Sequence, residues 1–307
     1  MKGTIRKIQL IINSIALLRV AKEVAEMGGG MLAFARLSQL EDYHLVQIAK
    51  AVRECGLCDS KDEFVWILKH MLDERGWSCD RLPNIKRPSK LSEAFVDYEN
   101  FLEWTLENTC RLAGGWRPEP EEARALYAAL ITLPWYSAYR VALYTALRIP
   151  REGRVLLAGA GLQEPLDYLT ACKRAETEGW GNCNFAAMEV DPDVYQKLQE
   201  LGVKHGFQTY FGWDSIKERF DAVVMQNILH WASNPADVFQ QAKRVARKLY
   251  LIQGVLEGTS AGFLFTYAIG ASKPVSYKTL MGLVKSIEWR PVKIYSKMPL
   301  FVGVFTA

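Results

Sequence analysis

The 307-residue sequence lacks any charge-free run of about eighteen residues, the length a membrane-spanning helix needs, so no transmembrane span is expected. It also lacks a stripe of one charge. Its 38 Lys and Arg stand against 34 Asp and Glu, spread over the whole length, for a formal net charge of +4. A dedicated nucleic-acid binder concentrates its basic residues, so nucleic acid is not implied. Cysteine is sparse, and of the six residues only Cys55-Gly-Leu-Cys58 is closely spaced. That is half a zinc site, while Cys79, Cys110, Cys172 and Cys183 form no second pair. Reduced thiols in a cytoplasmic protein are expected, without metal and without a disulfide framework. Repeats and low-complexity segments are absent. Half the residues are hydrophobic and 23% are charged, enough for a sizeable core in one large or two ordinary domains.

The N-terminal basic residues and the apolar run to Leu18 have the outline of a signal peptide, but Arg19 interrupts the run and no small-residue cleavage site follows. Asn13, Ser14, Lys22 and Glu23 fit the start of a buried amphipathic helix instead. From there to about residue 115, apolar residues recur at helical spacing, as in Leu45, Ile48, Ala49 and Val52. Residues 81–90 carry two prolines and several charges and read as a loop. Gly114-Gly115-Trp116-Arg117-Pro118-Glu119-Pro120 ends one helix and lets another start, which sets an expected boundary between a helical domain, residues 1–117, and a second domain, residues 118–307. Helix is expected from Glu121 to about Leu147, broken near Pro134.

After Pro150 strands and helices alternate. Strands are expected at Arg154–Ala158, Asn184–Glu189, Phe220–Met225 and Lys248–Gln253, with helices at Glu164–Ala175, Pro192–Leu201 and Pro235–Arg247 between them. This order predicts an α/β fold, a doubly wound and mostly parallel sheet covered on both faces. The tail reads as a helix, Ser276–Ile287, then strands Pro291–Tyr295 and Leu300–Phe305 joined by a tight turn, an antiparallel hairpin ending.

In such a sheet a ligand sits beyond the carboxyl ends of the strands. The first strand-to-helix turn carries Gly159, Ala160 and Gly161, which let backbone approach a ligand closely, although a glycine pair also serves any tight turn. The second strand ends at Glu189-Val190-Asp191-Pro192, and a carboxylate there can accept from two ribose hydroxyls. Asp191 also suits the cap of the following helix, which leaves Glu189 as the candidate ligand.

These segments resemble the class I S-adenosylmethionine-dependent methyltransferases over roughly residues 150–255. The resemblance implies a Rossmann-like fold, S-adenosyl-L-methionine as cofactor, and methyl transfer as the activity. It places Gly159, Ala160 and Gly161 against the methionine part, Glu189 and Val190 at the ribose, Trp213 and Asp214 near the adenine, and Gln226 at the end of the fourth strand. Phe220–Gln226 and the Leu229-His230 to Pro235 segment match most specifically. Two positions depart from the pattern: Leu157 stands where relatives carry an acid, and Gln163 where they carry a third glycine.

The helical front half is faintly similar to the dimerisation region of small-molecule O-methyltransferases, which implies a substrate lid or a homodimer and a small apolar or aromatic acceptor. In that comparison His230 is the candidate catalytic base for an acceptor hydroxyl, the alternative being that it simply packs or caps the following helix. Asn234-Pro235-Ala-Asp does not fit the segment of adenine amine methyltransferases, and no Pro-Cys pair serves cytosine. Trp135, Tyr136 and Tyr139 share a helical face that either lines an acceptor pocket or packs between helix and sheet, and Tyr144 falls off it. Two other readings stand beside this one: an RNA or protein methyltransferase, and a binding protein on a degenerate methyltransferase fold, motivated by Leu157 and Gln163.

Overall fold

The computed structural model describes residues 18, 20–23, 26, 31–89, 91–271, 275–297 and 300–307. The expected N-terminal helix start and the turn at 298–299 fall mainly outside these residues. In chain order the elements are α1 (Met31–Glu54), α2 (Glu63–Glu74), α3 (Glu93–Glu107), α4 (Thr109–Ala113), α5 (Pro120–Ile131), α6 (Pro134–Ala146), β1 (Val155–Ala158), α7 (Glu164–Thr177), β2 (Phe185–Glu189), α8 (Pro192–His205), β3 (Gln208–Phe211), β4 (Phe220–Gln226), α9 (Pro235–Val245), β5 (Ala246–Gly254), α10 (Ala261–Ala268), α11 (Tyr277–Ser286), β6 (Arg290–Ser296) and β7 (Leu300–Thr306). The chain divides into two compact units. A helical unit takes Val24–Tyr136 and Leu256–Pro274, and a sheet unit takes Ser137–Val255 and Val275–Ala307 with the segment ending at Glu23.

The helical unit starts its helices where the sequence supplies caps. Asp62 accepts from the Phe64 N–H at the start of α2, and Ser92 accepts from the Ala94 N–H at the start of α3. Ile48 and Val52 of α1, Leu68 of α2, Leu102 of α3 and Phe265 of α10 share its core. Gly262 of α10 sits against the Tyr98 hydroxyl so closely that a Cβ there would lie 1.7 Å from its oxygen. The unit boundary falls inside α6, at Tyr136–Ser137, and not at 117/118. Glycine and proline end a helix without deciding which core the next one joins. Leu126, Tyr127 and Leu130 of α5 pack on the helical core.

Cys55 is bonded to Cys110 and Cys58 to Cys79, with Cα separations of 6.0 and 6.3 Å, while Cys172 and Cys183 are free thiols. This corrects the expectation of six reduced thiols and removes its support for a cytoplasmic setting. The two cysteines of the close pair have different partners, brought to them by packing that spans up to 55 residues of sequence. Among the described residues no group of His, Cys, Asp and Glu could hold a metal ion, and no helix is long and apolar enough to cross a membrane.

The sheet unit holds seven strands in the order β3-β2-β1-β4-β5-β7-β6. Strands β1 to β5 pair in parallel, and β7 runs antiparallel to both β5 and β6. Every residue of β1 and β2 is buried, as expected of strands covered on both faces. Strand order reverses between β1 and β4, so their carboxyl ends flank the switch point where such sheets bind ligands.

Candidate functional site

The turn after β1 is built by two left-handed glycines, Gly159 at φ 62° and Gly161 at φ 56°. Gly159 has a second constraint, since a Cβ there would come within 2.8 Å of the Ile228 side chain. Ala160 N–H donates to the Met188 carbonyl (3.1 Å), which ties the turn to β2. Glu189, at the end of β2 and 8% exposed, closes the same edge. Its Oε2 accepts from Gly161 N–H (2.9 Å), and its Oε1 accepts from Val190 N–H (2.7 Å) and Asp191 N–H (3.4 Å). A carboxylate offers about four acceptor positions, so Glu189 retains room for one further donor. Asp191 caps α8, accepting from Asp193 and Val194 N–H. Gly212 N–H donates to the Glu189 carbonyl (2.8 Å) and so hangs the Trp213-Asp214 turn on the same strand end. Asp214 is exposed and Trp213 half-buried, while Val190 and Phe211 expose apolar side chains. Phe211 did not stand out in the sequence, because an aromatic ending a strand reads as core.

A buried polar group sits beside the switch point. The Tyr144 hydroxyl lies 2.7 Å from Glu164 Oε1 and 2.6 Å from Gln226 Oε1. One hydroxyl proton cannot serve two acceptors. The network closes when Glu164 is the neutral acid, donating to the Tyr144 oxygen while Tyr144 donates to Gln226. Burial pushes the Glu164 carboxyl up to about 8, which agrees with that count. Gln226 Nε2 is then a buried donor with no hydrogen-bond partner. Asp167, one turn along α7 from Glu164, is held by Arg140, Ser137 and Gln163. Gln163 thus folds back on its own helix, and Leu157 is fully buried within β1. Tyr144 and Glu164 are 20 residues apart and on different helices, so no local motif marks their pairing.

His230 follows β4, buried at 3% exposure, and burial pushes its imidazole down to about 4. Its Nδ1 lies 3.0 Å from Gln253 Nε2 at the end of β5. The structure therefore brings Gly159, Ala160, Gly161, Glu189, Val190, Trp213 and Asp214 onto one edge, with Gln226 and His230 near the ends of β4 and β5. Trp135 and Tyr136 fall in the helical unit. Trp135 packs edge-on against Phe95, Tyr98 and Tyr136 within that unit.

No family model and no curated protein matches the sequence. Solved structures do match the fold. The CMeT domain of the citrinin polyketide synthase aligns with TM-score 0.59 and 12% identity over 96% of this chain and 97% of its own. The methyltransferase CalH, in complex with SAH, aligns with TM-score 0.55 and 10% identity over 87% and 89%. An O-methyltransferase family 2 protein from Planctomyces limnophilus, in complex with apigenin, aligns with TM-score 0.53 and 13% identity over 89% and 94%. The chain has the α/β fold of these methyltransferases, with the helical region that accompanies it.

Proposed function

We propose that the chain is an S-adenosylmethionine-dependent methyltransferase acting on a small apolar or aromatic acceptor. The observation that carries this reading is the hydrogen bond from Gly161 N–H to Glu189, which joins the glycine turn to the acidic strand end beside the switch point. The fold likeness supports it, and two of the neighbours are crystallised with SAH or with apigenin.

The residues fit the group. Glu189 would accept from a ribose hydroxyl with its remaining acceptor position, and Val190 and Phe211 offer exposed apolar surface to a flat base. Gln226 Nε2, a buried donor without a partner, suits an acceptor oxygen such as a carboxylate. When bound, S-adenosylmethionine supplies an electrophilic methyl group on a sulfonium. The protein's part is to hold the acceptor in line with that carbon and to keep water out. The acid missing at Leu157 is not replaced within β1. Glu164 instead provides a neutral acid beside Tyr144 and Gln226.

Calorimetric titration with S-adenosylmethionine and S-adenosylhomocysteine, with NAD as control, tests the proposal. Micromolar binding of the sulfur compounds alone is expected. A folded protein that binds neither would overturn the reading.

A further inference from the structure

Gln253 is 1% exposed, and each polar atom of its amide is engaged. Its Oε1 accepts from Leu229 N–H (3.2 Å), and its Nε2 donates to the Gly254 carbonyl (3.1 Å). A backbone N–H can only donate and a backbone carbonyl can only accept. Rotating the amide by half a turn would set nitrogen against N–H and oxygen against carbonyl, two repulsive contacts in place of two bonds. The amide orientation is thereby fixed by the backbone on both sides. The second Nε2 proton of Gln253 then points at His230 Nδ1, which must accept it (3.0 Å). A neutral imidazole that accepts at Nδ1 carries its single proton on Nε2. Burial pushes the ring toward its neutral form.

We propose that Gln253 is a positioning residue that fixes His230 as an Nε2–H hydrogen-bond donor, and that the acceptor is therefore one that carries its own negative charge, an acidic phenol or enol. The proposal rests on the methyltransferase reading. An Nε2 that already bears a proton cannot take one from a hydroxyl. It can hold an anionic oxygen by a charge-assisted hydrogen bond. The acceptor anion forms its bond to the methyl carbon as the carbon–sulfur bond breaks. The bonding pair stays on sulfur, one negative and one positive charge cancel, and no proton passes to the protein. An alcohol or a weakly acidic phenol would need a base that His230 in this tautomer does not provide.

The tautomer is readable without substrate. In full-length protein labelled with 15N-histidine, two-bond proton–nitrogen correlation separates the tautomers, and the His230→Asn variant assigns the signal. We expect His230 as a neutral Nε2–H ring from pH 5 to 9. Gln253→Glu should convert it to the Nδ1–H form and move its titration upward, because a carboxylate accepts where the amide donated. A wild-type Nδ1–H or charged ring at pH 7 overturns the proposal, as does an unchanged spectrum in folded Gln253→Glu. If that variant does not fold, the wild-type spectrum decides alone.

The acceptor class is tested by methylation of phenols at pH 7.5. A phenol ionising near pH 7 should react about 200-fold faster than one ionising near pH 10, following the ionised fraction. Equal rates for both overturn the acceptor class. Failure to bind S-adenosylhomocysteine would overturn the methyltransferase reading and the acceptor class with it, and the histidine spectrum would still decide the role of Gln253.

Discussion

Glu164→Gln gives a pH-resolved test of the buried acid. A carboxyl held at about 8 in the folded chain against an ordinary 4.5 stabilises the fold fully below pH 4.5, and that stability is lost as pH rises through 8. His230 acts in the opposite sense. Held at about 4 instead of 6.5, its contribution is lost as pH falls from 6.5 toward 4. The two slopes cancel between pH 4.5 and 6.5, leaving Glu164 to dominate above. One proton corresponds to about 1.4 kcal/mol per pH unit, so wild type should lose about 2 kcal/mol between pH 6.5 and 8. The groups facing Glu164 are Tyr144 and Arg140 from α6, Asp167 from α7 and Glu189 from β2. Glutamine keeps a neutral partner for Tyr144 and abolishes the titration. Urea unfolding at half-unit pH steps measures the difference between the two proteins. It should grow in favour of the variant by about 2 kcal/mol across pH 6.5 to 8. Parallel curves would refute both the neutral acid and the proton count that closes the Tyr144 network.

Glu189→Ala should weaken S-adenosylhomocysteine binding at least tenfold in calorimetry. Asp191→Ala should leave affinity unchanged and cost about 1 kcal/mol of stability through the lost cap. Gly159→Ala combines a left-handed backbone with a collision at Ile228 and should cost about 1–3 kcal/mol in chemical denaturation. Removing the Cys55–Cys110 link, whose ends are 55 positions apart, should cost about 4 kcal/mol, and the Cys58–Cys79 link about 3, measured on Cys→Ser pairs. A pair that unfolds at the wild-type midpoint would contradict the corresponding bond.

The central strands were legible because their residues are buried on both faces and appear as short unbroken apolar runs, as in residues 155–158 and 222–225. Edge strand β3 was not visible that way. Gln208-Thr-Tyr-Phe has only Tyr210 buried, and a half-exposed strand of four residues carries too little pattern to recognise. Helix α10 also escaped, since a mean of apolar residues on all sides, Ala261 to Ala268, gives no amphipathic period. The glycine turn and Glu189 were readable because each ends a strand, and strand ends are where such sheets place ligands. Glu164, Gln253 and the cysteine partners were not. Their roles depend on residues 20 to 55 positions away, brought together only by tertiary packing.

Because Leu256–Pro274 leaves the sheet unit after β5 and returns before α11, the helical unit is not a continuous piece of chain. A fragment ending at Tyr136 would contain all four bonded cysteines, yet Phe101 and Trp104 would lose Phe265, which meets them at ring separations of 5.0 and 5.6 Å. During synthesis helices α1 to α5 must therefore wait for some 130 further residues before their core can close, about the span from Tyr136 to α10. Expression of either half alone should yield an aggregation-prone product, and the practical unit for dissecting this protein is the whole chain.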